Sequence, residues 1–389
     1  MKEKTSIFWI NILKKTIEVY FDTFFVVYFL SVANYEVIPL AKYYIAVYLF
    51  IGVGFFLLRN VMKQNIKVPY YQIGISLQAL YVASIMILKD KIITFSIFIG
   101  ALRGLADGFY HYPKNLLNTE KIDNNDRQKF NGLYSIFSQI ISIILPLLMG
   151  ILLTFFNYVT LAKIFFIFFI IIFILSFNLK DAVHYLDRKF DWDGFKKLIK
   201  KNKKIRYSLL IPFLSGLTYS SGVMDIVIKL FNINQFKTNL NLGIVDSICA
   251  GLSLLVCILF TTLIKKEDFS FASKVSGILF ASSLLIFSFW TNKYMLIVYL
   301  LLRYSFVKFI SLIEDVTIDN FSNCKELKSK YKTEFYLARD VLFSITRTLG
   351  YIILLFVSIL FGSQYIQYVL IICALAFLIE SFILAKVNE

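Results

Sequence analysis

Long apolar runs alternate with short polar breaks along almost the whole chain. The runs predict twelve membrane-spanning helices, over roughly 7–32, 37–58, 71–88, 92–117, 130–155, 158–178, 207–231, 238–264, 272–290, 293–315, 334–360 and 364–386. A span needs about 20 mostly apolar residues, and the third and ninth windows supply them without interruption. The first, fourth, tenth and eleventh hold ionisable residues, yet apolar residues enclose them. One long polar stretch, 179–206, divides six spans from six. The expected organisation is an all-α membrane protein: an N-terminal six-helix bundle (1–178), a basic cytoplasmic linker (179–206) and a C-terminal six-helix bundle (207–389).

The loops set the orientation. One set holds Arg59, Lys63 and Lys67; Lys121, Arg127 and Lys129; Lys265 and Lys266; and Lys325, Lys328, Lys330 and Lys332. The segment 179–206 adds ten more basic residues, while the opposite loops hold Lys89, Lys91, Lys237 and Lys293. Short loops rich in Lys and Arg stay on the cytoplasmic side, so both termini are expected inside. Within 179–206, Phe195, Leu198 and Ile199 share one helical face, ringed by Lys196, Lys197, Lys200 and Lys201. Two readings stand: a short helix lying on an anionic leaflet, or a solvated basic linker.

Composition agrees with the pattern. Of 389 residues, 58% are hydrophobic, 17% are charged and 41 are Phe, where soluble domains average about 45–50% apolar and about 25% charged. The net charge of +16 follows from the loop asymmetry, so it argues for topology and against nucleic acid as a partner. Cys249, Cys257, Cys324 and Cys373 form no CxxC pair and read as reduced apolar residues. With histidine only at His111 and His184, no metal site is expected, and no cofactor. The start, "MKEKTSIFWINILKK", lacks a small-residue cleavage site and reads as an uncleaved insertion signal.

The ionisable residues inside the spans are not scattered. The first span carries Glu18 and Asp22, the fourth Arg103, Asp107 and His111, the seventh Asp225 and Lys229, the tenth Arg303 and Lys308. Asp246 and Arg347 fall in the eighth and eleventh. The third has none, and in the sixth, ninth and twelfth the charges (Lys163, Lys274, Glu380) sit near the ends, where side chains can snorkel to the interface. A charge at mid-bilayer costs about 2.5–3.5 kcal/mol on insertion scales, and such residues face a bundle interior or a watery cavity. Helices one, four, seven and ten are therefore expected to line a polar cavity. "ALRG" at 101–104 echoes "LLRY" at 301–304, at equivalent places in the two halves, as internal duplication would produce.

On these features the chain resembles the major facilitator superfamily: its length, six plus six spans, a basic central loop and charge on helices one, four, seven and ten. The resemblance implies alternating access around a central site between two halves. The loop after span two, "RNVMKQNIKVPYY", keeps the family's basic residues but no Asp or Gly. Of the antiporter pattern in span five, "ISIILPLLMG" keeps Pro146 and Gly150.

Candidate roles follow from spacing. Arg103, Asp107 and His111 lie at i, i+4, i+8 and form one stripe; Arg103 is expected to bind an anionic group, with Asp107 neutralising it in the empty site. Gly104 and Gly108 permit a close backbone approach on the same helix. Glu18 and Asp22, also i, i+4, are the expected proton-coupling pair, since two carboxylates this close resist joint ionisation. The competing reading pairs Glu18 with Lys14 or Lys15 one turn away. Arg303 and Arg347 add positive charge for substrate, and Tyr110 and Tyr219 are candidate aromatic contacts. Asp225 with Lys229, and Arg339 with Asp340, read as structural pairs.

No GxSxG, HExxH, Walker or dinucleotide-binding motif occurs, so the chain is not read as an enzyme. The expected function is secondary active transport in a bacterial-type plasma membrane by a monomer whose partners are a small-molecule substrate, the bilayer and protons. Proton-coupled export of a small amphipathic molecule is the leading form. Uptake or flipping of an anionic, zwitterionic or lipid-linked solute is the alternative, and a non-transporting receptor, scaffold or membrane-embedded transferase the remote ones.

Overall fold

The computed structural model describes residues 2–66, 68–121, 124–183, 191–219, 222–236, 238–322, 327 and 331–389. The chain folds as two compact units, one of Met1–Lys189 with Phe236–Ile248, the other of Phe190–Gln235 with Cys249–Glu389.

In the first unit α1 (Lys2–Tyr20) runs through a π-helical turn, Phe21–Phe25, into α2 (Val26–Val32). Then follow α3 (Val37–Gln64), α4 (Val68–Leu88), α5 (Ser96–Lys121), α6 (Asn124–Phe155) and α7 (Tyr158–Ser176). Two short strands, β1 (Asn65–Ile66) and β2 (Ala182–Val183), pair antiparallel. The second unit opens with α8 (Trp192–Lys201), α9 (Lys203–Leu217) and α10 (Val223–Phe236). Next come α11 (Asn239–Leu263), whose start belongs to the first unit, and α12 (Phe269–Phe289). It ends with α13 (Lys293–Leu302), a π-helical turn at Arg303–Val307, α14 (Lys308–Ser322), α15 (Lys332–Phe361) and α16 (Val369–Asn388).

Side-chain caps mark several helix starts. Asn157, Asn202 and Asn292 accept from Thr160 N at 2.8 Å, Lys204 N at 3.0 Å and Met295 N at 2.9 Å, satisfying amide donors that have no partner inside the helix.

Among the described residues, nine helices are long and apolar enough to cross a membrane. The expected first, fourth and seventh spans are helical but miss that measure. The reason is visible in the chain. Lys14, Lys15, Glu18 and Asp22 interrupt the first, and Arg103, Asp107 and Lys114 the fourth. The seventh, expected to be continuous over 207–231, is split: α9 stops at Leu217, Thr218 leaves the helical region, and Gly222 adopts φ +74°, a backbone region that favours glycine.

The nine apolar helices carry many exposed large hydrophobics, among them Ile164, Ile167, Ile170 and Ile174 on α7 and Ile140, Ile144 and Leu148 on α6. Apolar cover on this scale belongs against lipid rather than water. The chain is a multi-pass membrane protein.

Small residues place the core of the first unit. Gly100, Gly104 and Gly108 of α5 lie against the backbone of α3 at Tyr43, Val47 and Gly54; a Cβ on Gly108 would come within 3.0 Å of Gly54 Cα. This stripe at every fourth residue lets the two backbones approach closely, as small-xxx-small surfaces do in lipid. It also fixes the rotation of α5, one residue away from the stripe that carries Arg103 and Asp107.

The basic segment forms a short helix, α8, as one of its two readings expected. Phe195 is fully buried, in a cluster with Ile205, Leu209, Ile318, Leu327, Phe335 and Ala338, and Leu198 and Ile199 pack on its edge. The apolar face of α8 thus packs on the protein through Phe195, Leu198 and Ile199. Asp191 caps the helix through Gly194 N at 2.9 Å and is tied to Glu334 by its own amide at 3.1 Å. Lys196, Lys197, Lys200 and Lys201 stay exposed. His184 and Cys324 lie outside the described residues.

Candidate functional site

The first unit contains a cavity of about 240 Å³ between α1, α4, α5 and α7. Its wall carries three carboxylates (Glu18, Asp22, Asp107) and two basic side chains (Lys14, Arg103), with His111 and Gln78 beside them. Phe21, Tyr81 and Phe169 form an aromatic flank. The residues come together because α5 presents its stripe to α1, and α1 presents Lys14, Glu18 and Asp22 at one-turn intervals.

Each charge is answered locally. Arg103 Nε lies 3.5 Å from Asp107 Oδ2, and its Nη2 lies 3.6 Å from Asp22 Oδ1. Arg103 Nη1 donates to the Tyr43 hydroxyl at 3.0 Å, and Tyr43 meets the Tyr81 hydroxyl at 2.8 Å. Lys14 Nζ lies 3.9 Å from Glu18 Oε1 and 4.0 Å from Asp107 Oδ1. The Gln78 amide donates to Asp107 Oδ1 at 2.7 Å. Lys14 also sits over the Tyr110 ring at 4.9 Å and the Phe169 ring at 5.7 Å, contacts worth about 0.5–2 kcal/mol each.

The partners are not equally committed. Asp107 meets three side chains, Arg103, Lys14 and Gln78, and its own side chain is 15% exposed, whereas the Asp22 side chain is 68% exposed and lies 3.6 Å from Arg103. Asp22 lies in the π-helical turn that interrupts the first span, a distortion often found at functional sites. Arg103 thus faces one buried carboxylate, Asp107, and one exposed carboxylate, Asp22.

Several expectations change. Glu18 and Asp22 do not form a free acidic pair: Glu18 meets Lys14 and Asp22 meets Arg103. Tyr110 is fully buried beneath Lys14 and Lys114 and does not line the cavity. Lys14, the competing partner for Glu18, is only 6% exposed and bridges Glu18 and Asp107. Its signal was the i, i+4 register with Glu18. Tyr43, Gln78 and Tyr81 carried little signal, being uncharged residues in apolar spans.

In the second unit Arg303, within its π-helical turn, forms an ion pair with Asp225. Asp225 of α10 therefore serves Arg303, which follows α13, where the spacing had paired it with Lys229 on its own helix. Arg347 stacks over the Phe343 ring at 4.9 Å. Arg339 pairs with Asp340 at 2.7 Å, as expected. Tyr219 donates to Glu314, so its hydroxyl is engaged within the protein. Glu380, expected to snorkel from the end of the last span, is instead fully buried, accepting from Thr218 Oγ1 at 3.3 Å. Cys249, Cys257 and Cys373 are unbridged.

No curated protein matches the sequence. Solved structures do match in fold. A bacterial homologue of the iron transporter ferroportin, in an inward-facing state, is 14% identical with a TM-score of 0.68, covering 99% of this chain and 98% of that one. The nucleoside transporter NupG is 12% identical with a TM-score of 0.72, covering 100% of both chains. The human organic anion transporter MFSD10 is 12% identical with a TM-score of 0.63, covering 98% and 99%. The family model of the Major Facilitator Superfamily matches residues 44–313. With charge on the helices the sequence singled out and the fold of these transporters, the chain belongs to the Major Facilitator Superfamily.

Proposed function

We propose that the protein is a proton-coupled secondary transporter, working by alternating access with twelve spans and cytoplasmic termini. Its substrate is a small amphipathic zwitterion, exported across a bacterial-type plasma membrane. The observation that carries the substrate class is the uneven hold on Arg103: Asp107 is fixed, while Asp22 is exposed and 3.6 Å away. An anionic group on the substrate takes the place of Asp22 at Arg103 in a charge-assisted contact. Asp22 and Glu18, freed or loosely held, then face the cationic end. Phe21, Tyr81 and Phe169 give the apolar part a wall. Export is favoured by these aromatic walls beside carboxylates, which suit amphiphiles already concentrated in the membrane.

The test is ligand-dependent thermal stabilisation of detergent-purified protein, using anionic, zwitterionic and cationic amphiphiles on wild type, Arg103→Gln and Asp22→Asn. A ligand at 100 times its Kd stabilises by about 2.7 kcal/mol. Zwitterions are expected to stabilise wild type and lose that effect in both variants. Stabilisation by cations that persists in Arg103→Gln and disappears in Asp22→Asn would replace the zwitterion with a lipophilic cation. Arg103 would then keep only a structural role.

A further inference from the structure

The second unit holds two buried carboxylates that substrate binding does not use. Glu314 on α14 is 5% exposed and Glu380 on α16 is 0% exposed. Both belong to helices apolar and long enough to cross the membrane. Their donors come from one short stretch where the seventh span breaks. Ser215 Oγ donates to Glu314 Oε1 at 3.4 Å, and Tyr219 donates to Glu314 Oε2. Thr218 donates to Glu380 Oε2 at 3.3 Å, and Tyr219 lies close enough to Glu380 to interact with it as well. The second oxygen of Glu380 is buried with no hydrogen-bond partner.

The surroundings offer little compensation. Asp315 adds a like charge from α14, and the nearby cation, Arg339 of α15, is already paired with Asp340. On α16, Cys373 points to the Leu217 carbonyl at 3.7 Å. Lys274 of α12 is held by Glu389 at 2.6 Å, and Arg206 of α9 is exposed. Burying one ion costs several kcal/mol, and a hydrogen bond to a charged group returns about 1.5–3 kcal/mol. One Tyr219 proton cannot serve two carboxylates at once. Two carboxylates sharing such a place hold a proton between them.

We propose that Glu314, Tyr219 and Glu380 form a proton site in the second unit. One proton is shared between the carboxyl groups while they are buried. It leaves to water when the cluster is hydrated, leaving a second carboxylate. Tyr219 is the relay: its oxygen accepts the proton of Glu380 as its own proton passes to Glu314. The proposal rests on the transport reading and moves proton coupling away from Glu18 and Asp22, each of which lies beside a cation.

The first readout is infrared spectroscopy of the full chain in nanodiscs across pH, following the carbonyl stretch of protonated carboxylic acids and its shift in heavy water. That signal is expected to be lost in the Glu314→Gln/Glu380→Gln double variant and retained in Glu18→Gln/Asp22→Asn. A signal that survives the first pair, or vanishes with the second, overturns the proposal. The second readout needs no variant. A hydrophobic carbodiimide, which reacts with protonated carboxyl groups, is applied to wild type and mapped by mass spectrometry. Label on Glu314 or Glu380, declining as pH rises, is expected; label on Glu18 or Asp22 with neither of these marked overturns it. Neither readout involves solute. Failure here therefore leaves the transport reading standing, and loss of solute-dependent stabilisation fails that reading alone.

Discussion

Two clusters, one in each unit, hold acidic groups in opposite ways. In the first, Asp107 and Glu18 are met by Lys14 and Arg103, and the cluster borders a cavity. In the second, Glu314 and Glu380 are met by Ser215, Thr218 and Tyr219. A carboxylate answered by a cation keeps its charge and can trade partners with a charged solute. A carboxyl group answered by hydroxyls is settled by a proton. The difference teaches that burial alone does not assign a role to an intramembrane acid; its partners do.

The sharpest way to break this comparison is to neutralise one acid in each unit by a near-isosteric amide. Asp107→Asn leaves Arg103 and Lys14 short of a counter-charge. Removing one partner of a buried pair costs about 3–5 kcal/mol, so a large drop in thermal stability is expected in a detergent melting experiment. A melting temperature equal to wild type would mean that Asp107 is not ionised in the fold.

A smaller effect is expected between α3 and α5. Gly104→Ala places a methyl group against the Val47 carbonyl, and overpacking of this kind costs about 1–3 kcal/mol. Because the helix pair also carries Arg103, the same variant is expected to weaken zwitterion-dependent stabilisation. Unchanged stability and unchanged ligand response would remove this contact from the framework of the site.

The smallest effect is expected for Glu380→Gln. An amide replaces a neutral carboxyl of similar volume and can still accept from Thr218, so the cost should stay under about 1.5 kcal/mol. A loss as large as that of Asp107→Asn would erase the contrast, since it would show that Glu380 is held as an ion.

Much of the first cluster was legible along the chain. The spacing of Arg103, Asp107 and His111, and of Lys14, Glu18 and Asp22, follows from one helical turn, so residues on one face could be listed together. Which carboxylate meets which cation could not. Asp22 and Glu18 have the spacing of a pair, yet α5 lies close enough that each takes a different cation. The second cluster was almost invisible. Glu380 lies near the end of an apolar span, where snorkelling is the usual expectation, and Glu314 sits beside Asp315 at the end of the expected tenth span. Their donors depend on where α9 breaks, a position set by Thr218 and Gly222 rather than by any hydrophobic period.

The sequence by itself determined the class of this protein. Twenty-residue apolar runs, basic loops on one side and charge confined to particular spans are one-dimensional properties, because the bilayer acts on each helix separately. Tertiary structure decided the partners: Asp22 with Arg103, Asp225 with Arg303, Tyr219 with Glu314, Phe195 within the protein core. The physical reason is range. Insertion energy sums over a segment and can be read from it, whereas an ion pair or a hydrogen bond forms within about 4 Å and depends on how residues from different helices are brought together.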